Sequence, residues 1–203
     1  MAEKKNIFNT YNKIADWFAE NRSTHLMEEA YLQDIIQRIP ADGHLLDIGC
    51  GTGLPIYGYF YEKGYSIKGV DASVEMLRHA HANFPDGDFV QADMRLLSLP
   101  EQFDALLAWH SFFHLPAEDQ REMFPIFRKH LKDDGILLFT TGPAESEAWA
   151  DNAGELLYHA SLAEQDYKSL LAENGFQILK HQVEDPSCGG ATVWLAQYKS
   201  AIR

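Results

Sequence analysis

Hydrophobic residues along the chain follow two patterns: short continuous runs, and longer stretches in which apolar positions recur every three or four residues. After Pro40 the short runs predict buried strands, and the spaced stretches between them predict helices. The predicted strands cover Leu45–Ile48, Ser66–Val70, Asp88–Val90, Ala105–Ala108 and Ile136–Thr140. The predicted helices between them cover Leu54–Lys63, Val74–Asn83 and Ala117–Leu131. This alternation is typical of a parallel sheet covered on both faces, so the pattern predicts a doubly wound α/β domain.

The two ends of the chain depart from this alternation. From residue 7 to about residue 38 the apolar spacing predicts two helices ahead of the sheet. At the other end, a helix over Glu164–Asn174 leads to two strands, Phe176–Val183 and Ala191–Tyr198. The gap between these strands is too short for a parallel crossover, which needs a dozen or more residues. We therefore expect an antiparallel hairpin through the Gly189-Gly190 pair.

No repeat, low-complexity segment or Ser/Gly linker marks a domain boundary, so the 203 residues predict a single domain. Within it we expect a helical lid over 1–40, a central core over 41–141, a lid loop over 142–165, and a C-terminal helix with a β-hairpin over 166–203. Long connections in compact domains are usually functional. We therefore expect residues 142–165 to roof a cleft together with the N-terminal helices.

The net charge and the two cysteines limit which binding partners and which cellular compartment are expected. The chain has 17 Lys and Arg against 30 Asp and Glu, a formal net charge of -13. This field repels phosphate backbones and anionic lipids, so nucleic acid is not an expected partner. The apolar stretches are too short to span a bilayer. Cys50 and Cys188 lack a CxxC spacing, which favours a reducing compartment. We expect a cytoplasmic protein, as a monomer or homodimer.

The strongest motif is Asp47-Ile48-Gly49-Cys50-Gly51-Thr52-Gly53, where the first predicted strand runs into three spaced glycines. Glycines at this junction let the backbone turn sharply and let a ligand lie against the main chain. Dinucleotide sites use G-x-G-x-x-G/A, whereas here Gly53 comes one residue early and Leu54 takes the expected third position. Asp47 places negative charge at the bend, which favours an ammonium or sulfonium group over a pyrophosphate.

Carboxylates also follow the next two predicted strands. Asp71 closes the second strand, where an acid can accept hydrogen bonds from both hydroxyls of a ribose. It could instead cap the following helix, but Ser73 and Glu75 are available for that role. Asp93 follows the third strand and is suited to accept from an exocyclic amine, with Met94 beside a purine ring. The alternative for this pair is a helix cap next to a core methionine.

Together these motifs resemble the class I S-adenosylmethionine-dependent methyltransferases, and more closely their methyltransferase-type-11 branch, which acts on small molecules. The resemblance covers nearly the whole chain, from the segment around Tyr11 and Trp17 to residues 190–196. It implies a mostly parallel seven-stranded sheet whose last strand is antiparallel, with helices on both faces and two extra N-terminal helices. It also implies S-adenosylmethionine as cofactor, S-adenosylhomocysteine as product and a small-molecule methyl acceptor.

The resemblance also assigns roles to individual residues. Asp47 would lie by the cofactor ammonium, and the loop Gly49–Gly53 would pack the amino-acid part. Asp71 would bind the ribose, and Asp93 with Met94 would hold the adenine. The implied cofactor-binding residues are Tyr11, Asp47, Gly49, Gly51, Gly53, Asp71, Ala72, Asp93, Met94 and Trp109.

Methyl transfer from a sulfonium is an in-line displacement, for which positioning alone can lower the barrier by about 7–11 kcal/mol. A base is needed only when the acceptor is protonated. His110 and His114 follow the fourth predicted strand, and a neutral imidazole there can take a proton near pH 7. His110 is the candidate base, and His114 is expected to shape the loop. A zinc site at this pair lacks a recognisable third ligand, so no metal is expected.

Two other functions stay open. An NAD-type oxidoreductase on a similar fold is disfavoured by Gly53 and Leu54, and a noncatalytic cofactor-binding relative is disfavoured by the intact glycine and acidic positions. The sequence Trp109-His110-Ser111-Phe112 stands where methyltransferases acting on planar amines carry Asn/Asp-Pro-Pro-Tyr. This difference argues against bases or glutamine as the acceptor.

Overall fold

The computed structural model describes residues 2–200, with side chains from Lys4 onward. Met1 and residues 201–203, the two ends of the predicted domain, lie outside the described residues. The helices are α1 (Ala2–Lys5), α2 (Phe8–Asn21), α3 (Glu29–Ile36), α4 (Ile56–Glu62), α5 (Val74–Asn83), α6 (Ala117–His130) and α7 (Glu164–Glu173). The strands are β1 (His44–Ile48), β2 (Ser66–Asp71), β3 (Asp88–Gln91), β4 (Phe103–Ala108), β5 (Leu131–Thr141), β6 (Ser146–Asn152), β7 (Glu155–Ser161), β8 (Phe176–Asp185) and β9 (Ala191–Tyr198).

Seven of the strands form one sheet in the order β3-β2-β1-β4-β5-β9-β8. The strands from β3 to β5 pair in parallel, with β1 at the centre of this group. β9 runs antiparallel to both of its neighbours, β5 and β8. The turn between β8 and β9 contains Gly189 and Gly190, both at positive φ. The predicted doubly wound sheet, its antiparallel last strand and the closing hairpin are therefore confirmed.

Apolar side chains of the strands alternate between the two faces of the sheet, as the geometry of a strand requires. One face is covered by α6 and α7, whose aromatic residues pack on strand residues such as Leu106 and Leu137. The other face is covered by α3 and α4, which pack on residues such as Leu45 and Leu107. Because α3 buries Tyr31 in this core, it belongs to the layer that covers the sheet. Part of the segment predicted as a lid, α3, is therefore a layer of the main fold.

The segment 142–165, expected to be a lid loop, instead contains the antiparallel hairpin β6–β7. β6 is mostly exposed, and its residues therefore lack the apolar pattern by which a buried strand is predicted. On β7, Leu157, Tyr158 and Ala160 are buried. β7 packs against the helical turn Phe112–His114 and against α2. The hairpin therefore packs on the main body of the fold.

The segment α1–α2 is fastened to its neighbours by polar contacts. Ion pairs connect Lys4 to Glu147 (2.6 Å), Lys13 to Glu155 (2.9 Å) and Asp16 to Arg78 (2.5 Å). The first two pairs join α1 and α2 to the β6–β7 hairpin, and the third joins α2 to α5. None of the helices within residues 2–200 is both long and apolar enough to cross a membrane.

Candidate functional site

A cavity of about 310 Å³ lies at the carboxyl edge of the sheet, beside the ends of β1, β2, β3 and β4. The chain leaves β1 toward β2 on one side, while β4 lies on the other, and open α/β sheets bind ligands at such a switch point. Of the predicted site residues, Gly53 does not line this cavity. The others line it: Tyr11, Asp47, Gly49, Gly51, Asp71, Ala72, Asp93, Met94, Trp109 and His110.

The glycine loop after β1 is held by the end of β2. The carbonyl of Val70 accepts hydrogen bonds from the backbone N–H groups of Gly49 (2.7 Å) and Cys50 (3.0 Å). The Asp71 carboxylate accepts from the N–H of Gly51 at 2.9 Å. The last two residues of β2 therefore fix the path of the loop and keep it at the edge of the cavity.

The lack of a side chain has a different physical consequence at each of the three loop glycines. A Cβ on Gly49 would lie 2.2 Å from the Cβ of Ser111, and one on Gly53 would lie 3.0 Å from the ring of Phe84. These two glycines allow other parts of the protein to approach closely. A Cβ on Gly51 would have no described atom within 4 Å, so close packing does not require glycine there. Its φ of +56° nevertheless favours glycine. Gly51 is thus the loop position whose missing side chain leaves room for a ligand.

Asp47 is a buried carboxylate, 3% exposed, at the end of β1. No described residue donates a hydrogen bond to its side chain, which borders the cavity. Burial, with the added charges of Asp71 and Glu28, raises the pKa of Asp47 to about 7. A buried carboxylate without a partner is costly, so this position fits a ligand that brings a positive group.

Arg22 is a cavity residue that the sequence analysis did not identify. It follows the last residue of α2, and its guanidinium has no carboxylate within ion-pair distance in the described part of the chain. Its charge acts on Asp47 and lowers the pKa of that carboxyl against the effect of burial. A single arginine after a helix carries no sequence signal, because its position depends on how α2 packs. Asp47 and Arg22 together match the two charges at the end of a free amino acid.

Asp71 retains room for a ligand. Its two oxygens accept from the backbone N–H groups of Gly51 (2.9 Å) and Ser73 (2.8 Å). Because each carboxylate oxygen can accept a second bond, two further donors can be held. Burial raises the pKa of Asp71, and these backbone bonds oppose the rise. The Ser73 hydroxyl accepts from the N–H of Met76 at 3.1 Å, so Ser73 caps α5 as expected.

Asp93 is both a cap and a cavity residue. It caps the helical turn Met94–Leu96, and its carboxylate accepts from the backbone N–H (3.0 Å) and the guanidinium (2.5 to 3.1 Å) of Arg95. Burial raises the pKa of Asp93, but the bonds from Arg95 outweigh burial and hold it below its ordinary value. Arg95 also pairs with Asp119 at 2.9 Å. Asp93 therefore has less free accepting capacity than Asp71.

His114 holds Tyr11 in place. Its Nδ1 lies 2.8 Å from the carbonyl oxygen of Tyr158, and since a carbonyl can only accept, Nδ1 carries the proton. Its Nε2 therefore accepts from the Tyr11 hydroxyl, also at 2.8 Å. Burial lowers the pKa of His114 to about 3. Both ring nitrogens of His114 are therefore used in contacts within the protein.

His110 lies in the cavity wall in an uncommon backbone conformation. Its φ is +49°, and its N–H donates to the hydroxyl of Thr140 at 2.9 Å. Burial, and to a smaller extent the charge of Arg22, lower the pKa of His110 to about 4, so its ring is neutral at pH 7. Within the described residues, no group of three or more His, Cys, Asp or Glu side chains is placed to hold a metal ion.

Comparison with known proteins identifies a common domain. The sequence profile of the methyltransferase domain family matches residues 18–181. Over 129 residues, the chain is 30% identical to dTDP-3-amino-3,4,6-trideoxy-alpha-D-glucopyranose N,N-dimethyltransferase of Streptomyces venezuelae, covering 62% of this chain and 54% of the relative. It is 30% identical over 135 residues to trans-aconitate 2-methyltransferase of Escherichia coli, covering 61% of this chain and 50% of the relative. The chain thus spans about half the length of these curated relatives.

Solved structures show the same fold at lower identity. An S-adenosylmethionine-dependent methyltransferase from Clostridium acetobutylicum superposes with a TM-score of 0.74 at 17% identity, covering 94% of this chain and 100% of that one. The amino pentose methyltransferase CalS10 from Micromonospora echinaspora, solved with bound S-adenosylmethionine, has a TM-score of 0.71 at 16% identity. The match covers 91% of this chain and 95% of that one.

The substitutions Gly51→Ala and Gly64→Ala form a matched pair. Both glycines have positive φ (56° and 81°) and open space around the missing Cβ, but Gly64 lies in the turn between α4 and β2. Each alanine should lower the free energy of unfolding by about 1–2 kcal/mol through backbone strain, measured by urea denaturation. In calorimetric titration with S-adenosylhomocysteine, Gly51→Ala alone should weaken binding, by about tenfold or more. Equal affinities for the two variants would show that Gly51 does not face the ligand.

Proposed function

This chain belongs to the methyltransferase domain family, and on that premise we propose that it transfers a methyl group from S-adenosylmethionine to a small molecule. The observation that carries the proposal is the order of polar groups along the sheet edge. Asp93, Asp71 and Asp47 lie at the carboxyl ends of three adjacent strands, β3, β2 and β1, in that order. This order matches the adenine, the ribose and the amino-acid end of an extended nucleoside cofactor.

Asp47 at the end of β1 and Arg22 after α2 both line the cavity, and their opposite charges suit the amino-acid end of the cofactor. We assign the cofactor ammonium to Asp47, to whose buried carboxylate no described residue donates, and the cofactor carboxylate to Arg22. The open backbone at Gly51 lets this end of the molecule approach the main chain. Within residues 2–200 neither charge has a partner of opposite sign at ion-pair distance, so a ligand that neutralises both would bind strongly, because charge-assisted hydrogen bonds are stronger than neutral ones.

The nucleoside end is assigned to the tips of β2 and β3. The free accepting positions of Asp71 fit the two ribose hydroxyls, with Ala72 beside them. Met94 is partly buried and offers an apolar surface for the purine ring, while Asp93 accepts from its amine. Because Arg95 already uses much of the hydrogen-bond accepting capacity of the Asp93 carboxylate, we expect Asp71 to contribute more than Asp93 to the affinity for the cofactor.

The remaining cavity residues surround the reacting centre. When bound, S-adenosylmethionine supplies a methyl carbon activated by its positive sulfur. The aromatic rings of Tyr11 and Trp109 line the cavity and suit a cationic group, since ring faces attract positive charge. Tyr11 is fixed by its bond to His114, and His110 borders the space left for the acceptor. Positioning and the exclusion of water are then the main contributions of the protein.

We assign the lid to α1, α2 and the β6–β7 hairpin. These elements contribute residues to the lining of the cavity, including Phe8, Phe18 and Leu157. The ion pairs of Lys4 and Lys13 with the hairpin would close the roof over a bound cofactor.

We also propose a cytoplasmic enzyme that does not act on nucleic acid. Cys50 and Cys188 are both buried free thiols, which fits a reducing compartment. The net charge of -13 opposes binding of polyanions. The relatives above act on an amino sugar and on trans-aconitate by their names, so they indicate a small acceptor without fixing its identity.

A calorimetric titration tests the cofactor assignment. S-adenosylmethionine and S-adenosylhomocysteine should each bind with a stoichiometry of about one per chain, and NAD should neither bind nor compete. Competition by NAD would favour the oxidoreductase alternative. Cofactor binding without methyl transfer to any acceptor in a broad panel would favour the noncatalytic alternative.

The affinity for the cofactor should depend on pH through Asp47. Since the pKa of Asp47 in the free protein is about 7, this carboxyl is largely protonated below that pH, and a bound ammonium would expel the proton. Affinity should rise between about pH 5.5 and pH 7 by up to about tenfold per pH unit, because binding releases up to one proton. Calorimetry in two buffers of different ionisation enthalpy counts this proton.

The substitution Asp47→Asn should weaken binding and remove the rise in affinity over this range. Asp42→Asn, at an exposed position before β1, serves as the control and should behave as the parent protein does. The cofactor's own amine titrates equally with the parent protein, Asp47→Asn and Asp42→Asn. The difference in proton release between Asp47→Asn and the other two proteins therefore reports the titration of Asp47. Proton release that persists in Asp47→Asn would refute the assignment.

A further inference from the structure

Two hydrogen bonds in series join three segments of the chain at the cavity, which both Tyr11 and His114 line. The Tyr158 carbonyl on β7 accepts from Nδ1 of His114, in the helical turn after β4. Nε2 of His114 accepts in turn from the hydroxyl of Tyr11 on α2. The direction of both bonds is fixed, because a carbonyl oxygen has no proton to give and burial keeps His114 neutral, with a pKa of about 3.

This direction leaves the Tyr11 oxygen able only to accept. A phenol has one proton, and Tyr11 uses it on Nε2 of His114. Burial and the charge of Asp71 raise the pKa of Tyr11, so the hydroxyl keeps that proton at pH 7. Within residues 2–200, no group donates a hydrogen bond to the Tyr11 oxygen. Its remaining accepting capacity is therefore available to a ligand that offers a positive or hydrogen-bearing group.

Helix α2 holds Tyr11 across the end of β1. Tyr11 bonds to the turn after β4, whereas its neighbour Asn12 accepts through its side-chain oxygen from the Ser73 hydroxyl, just after β2, at 2.7 Å. Since β1 lies between β2 and β4 in the sheet, α2 crosses from one side of the end of β1 to the other. The charges of Asp71 and Arg22 both act on the Tyr11 hydroxyl.

In the cofactor orientation proposed above, the sulfur lies in this part of the cavity. Asp71 holds the ribose, and Asp47 with Arg22 holds the amino-acid end. The sulfur is the atom that joins these two parts of the cofactor. A hydroxyl on which both Asp71 and Arg22 act is therefore placed beside the sulfur.

We propose that the Tyr11 oxygen contacts the positive sulfonium group of S-adenosylmethionine and that His114 is the positioning residue that keeps this oxygen an acceptor. The proposal rests on the methyl transfer proposed above. The oxygen places partial negative charge beside the sulfur, and the C–H groups next to a positive sulfur are polarised, which makes them weak donors. S-adenosylhomocysteine has a neutral sulfur and no methyl group to transfer, so it lacks this contact. Tyr11 and His114 then favour the methyl donor over the spent product.

The ratio of the affinities for S-adenosylmethionine and S-adenosylhomocysteine tests the contact. The two ligands share the adenosine and amino-acid groups, so a general disturbance of the cavity weakens both. Tyr11→Phe removes the oxygen and keeps the ring, and it should lower the preference for S-adenosylmethionine by about threefold or more in calorimetric titrations at one fixed pH. Tyr61→Phe, which removes a phenol hydroxyl from an exposed residue of α4, is the matched control and should leave the ratio unchanged.

Substitutions of His114 test its positioning role. Glutamine still offers an oxygen that can accept from Tyr11, so His114→Gln should keep the parent ratio. Leucine offers no acceptor and frees the Tyr11 proton, so His114→Leu should lower the ratio at least as far as Tyr11→Phe does. In the Tyr11→Phe protein, adding His114→Leu should not change the ratio further, because no hydroxyl remains to be positioned. Urea denaturation checks that each variant folds.

The other outcomes separate the two proposals. If S-adenosylmethionine does not bind the parent protein, both proposals fail. Equal losses of both affinities in Tyr11→Phe, with an unchanged ratio, would overturn the contact with sulfur and leave methyl transfer standing. A further fall in the ratio when His114→Leu is added to Tyr11→Phe would overturn the positioning role. If leucine prevents folding, a ratio for His114→Gln as low as that of Tyr11→Phe would overturn it instead.

Discussion

The attachment of the glycine loop to the end of β2 is the interaction on which the site depends. One carbonyl, that of Val70, accepts two consecutive N–H groups of the loop, and the Asp71 side chain accepts a third. On the other side, the Ser111 hydroxyl donates to the carbonyl of Ile48 at 2.6 Å and closes the space above Gly49. The loop is thus fixed between the ends of β2 and β4. Its fixed position leaves Asp47 and Gly51 facing the cavity.

This arrangement also explains why a buried acid is tolerated at Asp47, to which no residue in the described part of the chain donates. The parallel pairing of β1 with β2 and β4 places this residue at the centre of the sheet edge, away from bulk water. Burial and the charge of Asp71 both raise its pKa, so the free protein reduces the cost by keeping the group partly protonated near pH 7. A positive ligand would remove the remaining cost. The buried carboxylate of Asp47 therefore favours binding of a cation over a neutral molecule.

Much of the fold could be predicted from the sequence, since buried parallel strands are continuous apolar runs and the intervening helices show clear spacing. The glycine loop and Asp71 were identifiable because their residue types have specific backbone and hydrogen-bonding uses at strand ends. The β6–β7 hairpin was missed because β6 is mostly exposed and carries no such pattern. Arg22, the bonds from Arg95 to Asp93 and the contact of Tyr11 with His114 depend on tertiary packing between distant segments. No local sequence signal reports contacts of that kind.

We propose that three adjacent strand ends bind one extended nucleoside cofactor in a single direction. A crystal structure of the protein with S-adenosylhomocysteine would show this direction. Both ribose hydroxyls should lie within about 2.6–3.0 Å of the Asp71 carboxylate. The amino-acid end should lie between Asp47 and Arg22, and the adenine beside Met94. A ligand bound in the opposite direction, or outside this cavity, would refute the proposed binding mode.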